Sequence, residues 1–115
     1  MTRVGITGLG IVSPVGLGRE ASWDALSKGV SGIAPITHFD ASTFEARLAG
    51  EVKGPLALPE DVAATAKHDP KVAFAFVAGE EALKQAGVAG LGPRSLLHVA
   101  TSLETFELGK VIHDG

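Results

Sequence analysis

Apolar positions fall into short clusters along the chain, and their spacing sets the expected elements. Val4 and Ile6 alternate with small residues, and apolar side chains continue at Leu9, Ile11 and Val12. That density predicts a strand over 3–7, buried on both faces at the centre of a sheet. Pro14 and the glycines at 8, 10, 16 and 18 break it. A short helix is expected over 20–28, with Trp23 and Leu26 on one face and Gly29 as its stop signal. Residues 31–59 hold no sustained period and read as mostly irregular, with room for a strand over 47–53. Pro55 and Pro59 punctuate the connection. Pro59 suits the first position of a short helix reaching Lys67, with Glu60 and Asp61 in its first turn.

The strongest periodic segment follows. Asp69 is an N-cap residue, and Pro70 fits the first helical position. Helix formers then run from Lys71 to Ala86, and Gly87 closes the segment. Val72, Phe76, Gly79, Leu83 and Ala86 share one face, where Gly79 is expected to permit close packing. Ala73, Phe74 and Val77 form a second apolar group, so the first half is expected to be buried. After a Gly/Pro turn at 90–93, Leu96 to Thr101 reads as a second buried strand. Ser102 is a candidate N-cap for a further helix over 103–113.

The order is strand, helix, long connection, helix, strand, helix. It is an α/β pattern with a parallel pair of strands. Two strands do not make a buried parallel sheet, so the pattern implies a larger sheet than it contains. The isolated chain is therefore expected to expose apolar surface and unpaired edges, and to aggregate or fold loosely.

Composition narrows the class. The chain has 115 residues, 45% apolar and 20% charged, which suits one globular domain. The formal charge of −3, with scattered Lys and Arg and few aromatics, points to no nucleic acid and no anionic membrane as partner. No cysteine is present, so these residues hold no disulfide, thiolate metal site or cysteine nucleophile. No apolar run has signal-peptide or membrane-span character, and a cytoplasmic protein is expected.

The candidate chemistry is thin. Gly8-Leu9-Gly10 follows a strand, as a dinucleotide-binding turn does. Ser13 stands where the third glycine belongs, and Pro14, Gly16 and Gly18 delay the helix, so no helix N-terminus faces a phosphate beside Gly10. No acidic residue follows a second strand about twenty residues on. A tight backbone turn explains the glycines better. His38, His68, His98 and His113 show neither i, i+4 spacing nor a compact cluster, and each reads as structural or exposed. Glu104 and Glu107 suit an acidic first turn better than a metal site. Glu80 and Glu81 read as ordinary polar-face residues, with Lys84 in pairing range of Glu80. Ser13 and Ser102 lie in no Gly-x-Ser-x-Gly elbow and read as turn and cap residues. The expected site list is empty: no catalytic, cofactor-binding or metal-ligating residue is assigned, and no cofactor is called for.

The stretch Val4-Gly-Ile-Thr-Gly-Leu-Gly-Ile-Val-Ser-Pro-Val-Gly16 resembles the amino-terminal strand and turn of the beta-ketoacyl-acyl-carrier-protein synthases, in their elongating, type II-like branch. The likeness continues through Trp23-Asp-Ala-Leu26, Gly29, Ser31-Gly-Ile33, His38-Phe-Asp40 and Leu48-Ala-Gly50. It resumes at Ala78-Gly-Glu-Glu-Ala-Leu83 and Ala86-Gly87, and weakens after about Ser95. The resemblance implies a thiolase-like fold, with two similar halves layered as αβαβα, of which residues 1–115 would be an amino-terminal part with an incomplete sheet. In that family the glycine turn is structural.

The resemblance also implies a chemistry: decarboxylative Claisen condensation in fatty-acid or polyketide synthesis. An acyl group passes from acyl carrier protein to a cysteine thiolate at a helix N-terminus, and two histidines assist decarboxylation of malonyl-carrier protein. The parent is expected to be a homodimer or heterodimer. The family's cysteine and histidines match no residue of this chain, so it is expected to be inactive alone. One departure stands out: Thr101-Ser-Leu-Glu-Thr-Phe-Glu107 occupies a place that is commonly glycine-rich. That leaves open a divergent synthase or a non-condensing homologue, such as a chain-length-factor-like partner; an interaction module or split-protein half is a separate alternative.

Overall fold

A computed structural model describes residues 3–101. In chain order they form β1 (Val12–Ser13), β2 (Gly16–Leu17), α1 (Arg19–Ser27), β3 (Ile33–Pro35), β4 (Leu48–Gly50), α2 (Glu60–Ala66) and α3 (Pro70–Ala86). The result is a small α/β structure with three helices and two two-stranded sheets. Both sheets are antiparallel: Val12 pairs with Leu17 in the first, and Ala34 pairs with Ala49 at the centre of the second.

The helices follow their end signals. Asp69 is extended, and its carboxylate accepts from the Lys71 N–H at 3.0 Å, while Pro70 opens α3 with its φ already set. Gly87 ends α3 in the left-handed region, φ 69°, which glycine enters without a Cβ penalty. Pro59 is the N-cap of α2 rather than its first residue, and α1 begins one residue earlier than its pattern implies. The helix α2 packs on α3, and α1 packs on β1 and β2.

The strands correct the sequence reading. Residues 3–7 form no strand among the described residues, and Val4 and Ile6 are 94% and 83% exposed. Leu96 to Thr101 forms none either, with Leu96 86% exposed. The expected parallel pair is therefore absent among the described residues. A parallel strand is stable only where its faces are covered, and the apolar side chains of both segments are exposed here. Within 31–59, read as mostly irregular, Ile33–Pro35 finds a partner in Leu48–Gly50. Both strands are short, and their pairing joins residues 13 to 17 apart in sequence, which local pattern does not report. The helix expected over 103–113, with Ser102, Glu104, Glu107 and His113, lies outside the described residues.

Few side chains are buried. Ala25, Ala41, Ala73 and Ser22 are, and all are small. Many large apolar side chains are exposed, Trp23 and Leu26 among them, and Phe74, Phe76 and Val77, expected to be buried, are half-buried.

Candidate functional site

The part of the structure with the most specific geometry is the glycine turn and what grips it. An added Cβ at Gly8 would overlap the carbonyl oxygen of Ala82, and one at Gly10 would overlap that of Ala78. The backbone of residues 8–10 thus lies directly on the backbone of α3. The two periods match. Two extended residues advance about 6.6 Å, and four helical residues advance about 6.0 Å. Steps of two along residues 8–10 therefore meet steps of four along α3, in opposite directions.

The same match sets the polar contacts. The Leu9 N–H donates to Gln85 Oε1 at 2.7 Å, and the Ile11 N–H donates to Glu81 Oε2 at 3.0 Å. Glu81 also reaches α1, where its Oε1 accepts from the Arg19 N–H at 2.7 Å. Gly18, the N-cap of α1, has no side chain to cap it, so a carboxylate from another helix does so. That Arg19 N–H bond is the main cause lowering the Glu81 pKa below its ordinary 4.5. Partial burial opposes the shift, and the Ile11 N–H and the Arg19 charge add to it. Glu81 is thus a structural acceptor rather than an ordinary polar-face residue, and Gln85 shares that role. The signal for both was a period match: an acceptor pair spaced four apart on a helix, facing a Gly-x-Gly segment.

Glycines also seat the neighbouring elements. A Cβ at Gly16 would lie 2.7 Å from the Ser22 nitrogen on α1. Cβ atoms at Gly32 and Gly50 would lie 2.7 Å and 2.9 Å from Pro14 side-chain carbons, so the β3–β4 hairpin closes on that proline. Ser13 and the buried Ser22 both direct their hydroxyls at the Gly16 carbonyl, at 3.2 Å and 3.1 Å, and lie 3.2 Å apart. Ser13 is here a turn residue, as its context predicts. Gly79, by contrast, has nothing within 4 Å of an added Cβ, so the close packing expected there occurs at Ala78 and Ala82. The reason is rotational: Gly79 lies on an exposed side of α3.

On the far side of the turn lies an apolar cavity of about 270 Å³, lined by Leu9, Ile11, Arg19, Trp23 and Leu26. Trp23 is 71% exposed and Leu26 57% exposed. The histidines are dispersed. The His38 N–H donates to Glu51, His68 lies between α2 and α3, and His98 is exposed. Among the described residues, no three metal-ligating side chains come together, and no helix is long and apolar enough to cross a membrane. Carbonyl oxygens face Gly8 and Gly10, and the first N–H of α1 is taken by a carboxylate. That arrangement repels a phosphate rather than cradling one.

Comparison with known proteins decides the family. Residues 1–105 match the family described as beta-ketoacyl synthase, N-terminal domain. The chain belongs to the beta-ketoacyl synthase family. It is 44% identical over 87 residues to a 3-oxoacyl-[acyl-carrier-protein] synthase 2 of Coxiella burnetii, across 75% of this chain and 21% of that protein. It is 38% identical over 102 residues to a putative polyketide beta-ketoacyl synthase 1 of Streptomyces cyaneus, across 88% of this chain and 24% of that one. A Synechocystis 3-oxoacyl-[acyl-carrier-protein] synthase 2 is 35% identical over 121 residues, across 98% of this chain and 25% of the relative. The chain thus spans about a quarter or less of the length of these relatives.

Membership in the beta-ketoacyl synthase family gives the glycine contacts a meaning. The segments that carry the resemblance, around Gly8, Gly10, Gly16, Gly32, Gly50 and Ala78 to Leu83, are the segments that touch in the structure. Here Gly8, Gly10 and Gly16 hold backbone against backbone, while Gly32 and Gly50 close on the Pro14 ring.

Proposed function

We propose that this chain supplies an amino-terminal scaffold of a beta-ketoacyl synthase of thiolase-like fold, and that the condensing chemistry is done by residues outside these 115. The observation that supports the reading is the set of touching glycine segments within a family match over residues 1–105. On this reading the parent accepts an acyl group from acyl carrier protein onto a cysteine. It then releases carbon dioxide from malonyl-carrier protein, and the resulting carbanion attacks the thioester. The chain has no cysteine to take the acyl group, so alone it forms no acyl-enzyme. Its role is to position elements on which such a site is built, and its partner in the assembled enzyme is acyl carrier protein. The parent functions as a dimer.

The test is a chimera in which residues 1–105 replace the matching segment of the Coxiella burnetii relative. The expected outcome is carrier-protein-dependent condensation by the chimera, with neither acyl transfer nor carbon dioxide release by the 115-residue chain alone. A second reading, a non-catalytic partner of a condensing enzyme, is favoured by the bulky and acidic sequence Thr101-Ser-Leu-Glu-Thr-Phe-Glu107. A chimera spanning residues 1–115 that folds but does not condense would favour it over the first.

A further inference from the structure

We draw no further inference here: the strongest candidate, the apolar cavity between the glycine turn and α1 lined by Leu9, Ile11, Trp23 and Leu26, is an open apolar face, and nothing in the structure shows what covers it.

Discussion

At the scale of residues, the glycines are not interchangeable. Gly10 faces the Ala78 carbonyl with no room for a methyl group, whereas Gly79 faces open space from an exposed turn of α3. Gly10→Ala should force the turn off the helix and lower stability by about 1–3 kcal/mol. Gly79→Ala should raise it by about 0.5–1 kcal/mol, because alanine loses less backbone entropy in a helix. Urea titration of the two variants, each made in the chimera carrying residues 1–105 and compared with the unsubstituted chimera, checks both signs. Glu81 gives a pH dependence of definite direction. Its carboxyl is held below the ordinary 4.5, so its contribution is complete above that value and is lost as pH falls through the lowered pKa. In the chimera carrying residues 1–105, stability should therefore fall more steeply with Glu81 than with Glu81→Leu below about pH 4.5, and the two slopes should agree near neutrality. Equal slopes in the acid range would show that Glu81 does not bracket α1.

At the scale of elements, α3 organises the described structure. Its start is set locally, by the Asp69 carboxylate on the Lys71 N–H and by Pro70. Asp69→Ala should cost about 0.5–2 kcal/mol and fray the first turn, seen as faster amide exchange at residues 71–73. The sequence showed α3 almost to the residue, because caps and period are local signals. It showed β3 poorly. Ile33–Pro35 is three residues long and exists through its pairing with Leu48–Gly50 and the seat that Gly32 and Gly50 make for Pro14. Glu51 extends that hairpin's hold. Its carboxylate accepts from the Thr37 hydroxyl at 2.6 Å and from the Thr37 and His38 N–H groups, which lowers its pKa as well.

At the scale of the whole molecule, the described residues fully bury only small side chains and leave many large ones exposed. Burying an apolar side chain of Val, Leu, Ile or Phe size contributes about 1.5–3 kcal/mol, and much of that is unrealised here. The isolated chain should aggregate at micromolar concentration or unfold without a sharp transition. Size-exclusion chromatography and calorimetry test this, and a soluble monomer with one cooperative transition would contradict it. Adding charge on the open cavity, as in Leu26→Asp, should improve solubility of the isolated chain and impair folding of the chimera.

The sequence by itself determined α1 to α3 to within a residue at each end, the caps of α3, the family resemblance and the absence of a cysteine nucleophile within these residues. All of these depend on residue identity and near-neighbour spacing. It also indicated that the Gly8-Leu9-Gly10 turn is a packing device and no phosphate cradle, since the helix that would face a phosphate starts too late. Only the tertiary structure decided what the turn packs against, that Glu81 and Gln85 hold one of its edges, and that residues 3–7 and 96–101 form no strand. The physical reason is common to all three. A strand's conformation and its free edge are properties of its neighbours, and those neighbours lie some 70 residues away along the chain.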